Sequence, residues 1–210
     1  MTEQIAVLTH SSIRIGGETV LYIDPYQIEE ERHDADVIFI THEHFDHFSL
    51  EDIAKVKKPD TVLVVPQSMQ KKAAKAGCAE IQTVKPGEKL QIGMIPVEAV
   101  AAYNNLKPFH PKHSAWVGYI FEIDGNRIYV AGDTDVTKEN TAISCDVALV
   151  PIGGKFTMDA KEAAKLVNTI KPKVAIPTHY GSVAGTKEAE EVFKAAVDPG
   201  ITVEIKMQKY

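Results

Sequence analysis

With 210 residues, 44% of them hydrophobic and 25% charged, the chain is long enough to bury a well-filled core, and its composition excludes disordered and fibrous classes. A net charge of -6 argues against nucleic acid as the main partner, because neutralising phosphates needs clustered Lys and Arg. Cys78 and Cys145, the only cysteines, are too few for a disulfide framework and suit a reducing compartment.

The first ten residues carry no basic stretch leading into an apolar core, and no apolar run approaches membrane-spanning length. A cytoplasmic protein without a membrane partner is therefore expected. Residues 5–8 and 12–15 flank His10, Gly16-Gly17 signals a turn, and residues 19–23 resume a strand pattern that Asp24-Pro25 ends. Together they predict an N-terminal β-hairpin. Residues 37–40 form a short apolar run typical of a buried strand, and it feeds directly into a histidine-rich segment.

The pattern then alternates. Residues 50–56 predict a helix capped by Ser49, 61–65 a strand, and 67–76 a helix closed by Gly77. Residues 81–102 favour strands, and the pair 116–123 and 127–131 frames Asp124-Gly125-Asn126, a strong hairpin signal. A strand at 146–151 precedes a helix at 159–170 with Thr157 or Asp159 as cap, followed by a strand at 174–177, a helix at 187–197 and a last strand at 201–205. Residues 103–114, with two prolines and two histidines, match no regular element, and a long irregular segment in a compact chain is often functional. No linker divides the sequence, so one domain spanning residues 1–210 is expected.

Three of the eight histidines crowd together with an aspartate in the run Thr41-His42-Glu43-His44-Phe45-Asp46-His47. Imidazole and carboxylate are the ligands that hold zinc, manganese or iron. In a loop after a buried strand, His42 and His44 can share one ion while Asp46 and His47 point to a second position nearby. Asp133 and His179 each follow an apolar strand, and such strand ends can reach a common site from a rigid scaffold. Alone, either would read as a turn or surface residue. His33, among Glu29, Glu30, Glu31 and Arg32, reads as solvated surface.

The ordered set His42-x-His44-x-Asp46-His47, a later histidine, Gly132-Asp133-Thr134 and Pro177-Thr178-His179-Tyr180-Gly181 resembles the metallo-β-lactamase-fold hydrolase superfamily over nearly the whole chain. Phe109-His110-Pro111-Lys112, Trp116-Val117-Gly118-Tyr119 and Pro151-Ile152-Gly153-Gly154 resemble its small, mostly uncharacterised hydrolases related to the ascorbate-6-phosphate lactonase-like branch.

The resemblance implies a four-layer αββα sandwich with the site on strand-end loops at one edge. It assigns His42, His44 and a middle histidine to a first metal, assigns Asp46, His47 and His179 to a second, and makes Asp133 the bridge. The middle histidine is His110 by its Phe-His-Pro-Lys context, with His113 as the competing candidate. It also places an early histidine, here His10, and an Asp-Pro aspartate, here Asp24, near the site, facing substrate or buttressing a ligand.

The expected cofactor is two divalent ions, zinc first, then manganese or iron. Two such ions lower the pKa of a shared water, and Asp46 stands beside it as catalytic residue. Lys112, Lys155 and Tyr180 are candidates for stabilising an oxyanion. The expected reaction is hydrolysis of a small-molecule ester, lactone or phosphoester, and a homo-oligomer stays open. The alternatives are a phosphodiesterase or nuclease acting on RNA or cyclic nucleotides, and a di-iron redox protein. The acidic balance speaks against the first, and the lack of room for a flavin domain against the second.

Overall fold

A computed structural model describes residues 1–210. In chain order its strands are β1 (Ile5–Thr9), β2 (Ser12–Ile15), β3 (Leu21–Ile23), β4 (Ala35–Phe39), β5 (Lys57–Pro66), β6 (Glu80–Val84), β7 (Lys89–Ile92), β8 (Ile95–Ala101), β9 (Val117–Ile123), β10 (Asn126–Val130), β11 (Val147–Pro151), β12 (Val174–Thr178), β13 (Thr202–Val203) and β14 (Met207–Lys209). The helices are α1 (Leu50–Val56), α2 (Gln70–Ala73), α3 (Ala160–Ile170) and α4 (Ala189–Ala196). Two seven-stranded sheets result, ordered β14-β1-β2-β3-β4-β5-β6 and β13-β12-β11-β10-β9-β8-β7. Each half of the chain builds one sheet, and β14 returns to the edge of the first.

Alternation along the strands sets the layers. In β4 and β5, Val37, Phe39 and Val64 point into the core shared with the second sheet, while Ile38, Leu63 and Val65 point outward onto α1 and α2. The strand β11 is buried on both faces, because the first sheet covers one side and α3 the other. The helix α3 turns Ala163, Ala164, Leu166 and Val167 inward. Helices thus flank two facing sheets in the expected αββα sandwich.

Strand direction explains where the site lies. β1 and β3 are both antiparallel to β2, and β4 is parallel to β3, so β1, β3 and β4 all end at one edge. In the second sheet β8 and β10 are both antiparallel to β9, while β11 and β12 are parallel to β10. Those four strands also share one end. Hydrogen bonds from Val117 N to Thr41 O (3.2 Å) and from His179 N to His10 O (2.9 Å) hold the two edges together.

The local elements follow the sequence pattern with three differences. The expected helix at 67–76 is one α-turn, α2, between two 3-10 turns, with Gly77 at φ 60° ending it. The last expected strand shrinks to β13, which pairs only at Val174–Thr202 and Ala175–Val203. The edge strand β14 went unread because it is polar, with only Met207 buried. Asp124 and Gly125 sit at φ 50° and 70°, as the two-residue hairpin turn requires. No helix is long and apolar enough to cross a membrane.

The α3 start is a complete capping box: Asp159 accepts from the backbone of Lys161 and Glu162 at 2.8 Å, and Glu162 accepts from Asp159 N at 3.0 Å. Asp159→Ala should therefore lower stability by about 1 kcal/mol, read as a shift in the urea midpoint. An unchanged midpoint would show that the box contributes nothing.

Candidate metal centre

Every candidate site residue that follows a strand lies at the common edge: His10 after β1, Asp24 after β3, His42 to His47 after β4, His110 after β8, Asp133 after β10 and His179 after β12. His10, Asp24 and His179 adopt φ of 48°, 49° and 56°. A left-handed backbone at a non-glycine residue costs energy, and here it turns each side chain off its strand towards the others. Gly132 (φ 64°) precedes Asp133, and a Cβ there would lie 3.1 Å from both Thr41 Cβ and Val117 O, so only glycine lets the strand end approach the histidine loop so closely.

Two donor sets form. In the first, His42 Nε2 lies 3.1 Å from His44 Nδ1 and 3.3 Å from His110 Nε2. In the second, Asp46 Oδ2 lies 3.6 Å from both His47 Nε2 and His179 Nε2 and 3.2 Å from His10 Nε2. Asp133 stands between them. Its Oδ2 is 3.2 Å from His110 Nε2 and 3.0 Å from His179 Nε2, and its Oδ1 is 3.3 Å from His47 Nε2.

The nitrogens are aimed by their partners. His47 Nδ1 donates to Asp24 Oδ2 at 2.7 Å, His42 Nδ1 to Thr41 Oγ1 at 2.9 Å, and His110 Nδ1 to Asn104 Oδ1 at 2.9 Å. Each bond fixes the ring's orientation, so that Nε2 is the nitrogen turned towards the centre and free to bind a metal once it carries no proton. Asp24 also accepts from Thr41 N (2.8 Å) and Thr41 Oγ1 (2.6 Å), so it buttresses the loop.

These residues fit a metal. His47 Nε2, His179 Nε2 and Asp133 Oδ1 are buried without a hydrogen-bond partner, an arrangement that costs energy unless something else satisfies them. A cation bonded tetrahedrally to nitrogens at about 2.0–2.1 Å holds them ~3.3 Å apart, which matches the spacing in the first set.

The electrostatics are those of a carboxylate pair set among imidazoles. Burial alone would raise Asp133 and Asp46. The charges of His179 and His47 instead hold Asp133 well below the carboxylate range, and hydrogen bonds from His10 and His179 hold Asp46 down likewise. Burial opposes charge on His179, yet Asp133 and Asp46 push it up to about 9, and Asp133 with Asp24 likewise raises His47. Burial lowers His42 and His44, helped by their neighbouring imidazoles, and takes His10 down to about 4.

The remaining candidates differ in their distance from the cluster. His113 is exposed in the 3-10 turn at Lys112–Ser114, while His110 is buried. His10 is fully buried and not among the residues that line the cleft, but it stands with Asp46, His47 and His179, its ring 3.9 Å from that of His179. His33 is exposed. Lys112 is bound by Glu139 at 2.8 Å and Tyr180 by Glu190 at 2.7 Å, and neither lines the cleft over the centre.

That cleft, about 200 Å³, has His44, Asp46, His110 and Asp133 at its base and Phe45, Phe109, Phe156 and Val183 around its mouth. Sequence reasoning missed Thr41 and Asn104 as buttresses and Trp116, which packs 5.0–5.1 Å from the His42 and His44 rings. Their side chains act only through ligands brought together by folding, and nothing in their spacing marks them.

Residues 4–179 match the family model for the β-lactamase superfamily domain. A UPF0173 protein of Pyrococcus abyssi is 33% identical over 82% of this chain and 80% of its own. A UPF0173 metal-dependent hydrolase of Thermoplasma acidophilum is 32% identical over 89% of this chain and 87% of its own. The crystal structure of a metal-dependent hydrolase from Parabacteroides distasonis superposes with a TM-score of 0.81 at 32% identity, covering 97% of this chain and 93% of that one. The chain belongs to the β-lactamase superfamily, within its UPF0173 group, and is a metal-dependent hydrolase with the metallo-β-lactamase fold.

Proposed function

We propose that the chain hydrolyses a small ester, lactone or phosphoester at a binuclear centre. His42, His44 and His110 would hold one ion and Asp46, His47 and His179 the other, with Asp133 joining them. The observation that carries this reading is the position of Asp133, whose two oxygens contact nitrogens of both donor sets. Zinc suits these ligands best, and manganese and iron remain compatible.

When bound, the ions supply Lewis acidity at the reacting carbonyl or phosphoryl group and lower the pKa of water towards neutrality. The protein supplies the rest. Asp24, Thr41 and Asn104 keep three imidazoles in the ligand tautomer, so no reorganisation is needed when substrate arrives. Asp46, at the base of the cleft, accepts a hydrogen bond from the attacking water and relays its proton towards the leaving group. His10 donates from Nε2 to Asp46 Oδ2 at 3.2 Å and holds that carboxylate in place, a buttressing role.

Metal-reconstituted protein assayed against lactones, carboxylic esters and phosphodiesters tests the reaction. His110→Ala should lose more than about 100-fold in turnover, beyond the 10–100-fold typical of residues that only support a ligand. His113→Ala, at an exposed position, should stay within about two-fold. The reverse pattern would transfer the ligand role to His113.

Metal uptake should also release protons. His179 sits near 9 and His47 is raised, so both carry protons at pH 7 and must lose them to offer a lone pair. Raising the pH removes that competition, so affinity should rise between pH 6 and about 9. Calorimetry in two buffers of different ionisation enthalpy measures the release, and identical heats in both would contradict it.

A further inference from the structure

The mouth of the cleft is apolar where solvent meets it. Phe45 is 65% exposed and Phe109 40% exposed, and both stand directly over the metal-binding residues. The Phe109 and Phe156 rings meet edge to face at 4.7 Å, so two aromatic faces are held in a fixed relation at one side of the opening. Exposed aromatics that line a cleft, rather than lie scattered on a surface, mark a binding contact.

No lysine or arginine lines this cleft. Lys107 pairs with Asp135 at 2.5 Å and Lys112 with Glu139 at 2.8 Å, while Lys155 caps the Phe156 ring at 4.9 Å without itself lining the cleft. A substrate carrying an anionic group inside the cleft would find no cation among the residues that line it and would lose hydration.

The cleft's size narrows the choice further. An enclosed apolar cavity of about 150 Å³ takes one benzene ring, so a cleft of about 200 Å³ has room for a ring-sized group beside the reacting bond.

We propose that the site selects an ester or lactone whose non-reacting part is uncharged, apolar and about the size of one ring, packed against the Phe109–Phe156 pair and Phe45. This rests on the hydrolytic centre proposed above. In the reaction the oxygen of water bonds to the acyl carbon and the acyl C–O bond breaks. One proton of the water passes to the departing alcohol oxygen, and the acid formed gives up the other as a free proton.

Binding of hydroxamates to zinc-loaded protein tests the selection without relying on turnover. Acetohydroxamate reports the metal centre alone, benzohydroxamate adds a ring, and 4-carboxybenzohydroxamate adds a remote charge to that ring. Benzohydroxamate should bind about ten-fold tighter than either of the others, the scale on which an apolar pocket discriminates. Phe109→Ala and Phe156→Ala should each erase most of the preference over acetohydroxamate. Leu106→Ala should keep it, since Leu106 is 96% exposed and does not line the cleft. Equal binding of all three ligands, or preferences unmoved by the phenylalanine variants, would overturn the selection and leave the metal centre standing. Failure of every hydroxamate to bind would overturn the centre itself, and this inference with it.

Discussion

Lone pairs on imidazole nitrogens cannot satisfy one another. His42 Nε2, His44 Nδ1 and His110 Nε2 approach to 3.1–3.3 Å around a common point, and the Nδ1 bonds of His42 and His110 commit their protons elsewhere. Burial makes the conflict expensive, because water cannot relieve it. A cation resolves it by accepting the lone pairs, and the negative charge of Asp133, which contacts both sets of nitrogens, offsets the charge that cation brings. The rest of the site serves to keep these atoms together.

The sandwich makes that possible by bringing the ends of strands from both sheets to one edge. No single segment could present these groups, since the histidine loop leaves the first sheet while His110, Asp133 and His179 leave the second. The contact between Thr41 and Val117 and the bond from His179 to His10 close the seam directly beside the ligands. Gly132 allows the approach, and the left-handed backbone at His10, Asp24 and His179 turns the side chains inward. Strain at these positions is held by a rigid, fully buried core on either side.

Much of this was legible in the sequence, for identifiable reasons. The run from His42 to His47 stands out because its residues are contiguous, whereas Asp133 and His179, each after an apolar strand, gain meaning only from their order in the family resemblance. Individual strands and helices could be read because buried strands and capped helices carry strong local patterns, while their αββα order came from the family resemblance. His110 and His113 could not be separated by pattern alone: three residues apart in an irregular loop, they differ only in which one the chain turns inward. Thr41, Asn104 and Trp116 were invisible as site residues, since their roles depend on partners distant in sequence. The strand β14 was missed because a polar edge strand has no alternation to read.

The central claim is that one carboxylate joins two cations held by two sets of ligands. Elemental analysis of metal-reconstituted protein, after dialysis to remove loose metal, tests it most directly when wild type and Asp133→Asn are compared. The substitution keeps the shape and removes the charge that offsets repulsion between the ions. The account expects about two ions per chain in the wild type, as a shared-water centre requires, and a clear loss of one of them in Asp133→Asn. Two ions retained by Asp133→Asn, or a wild type that never takes up more than one, would contradict it.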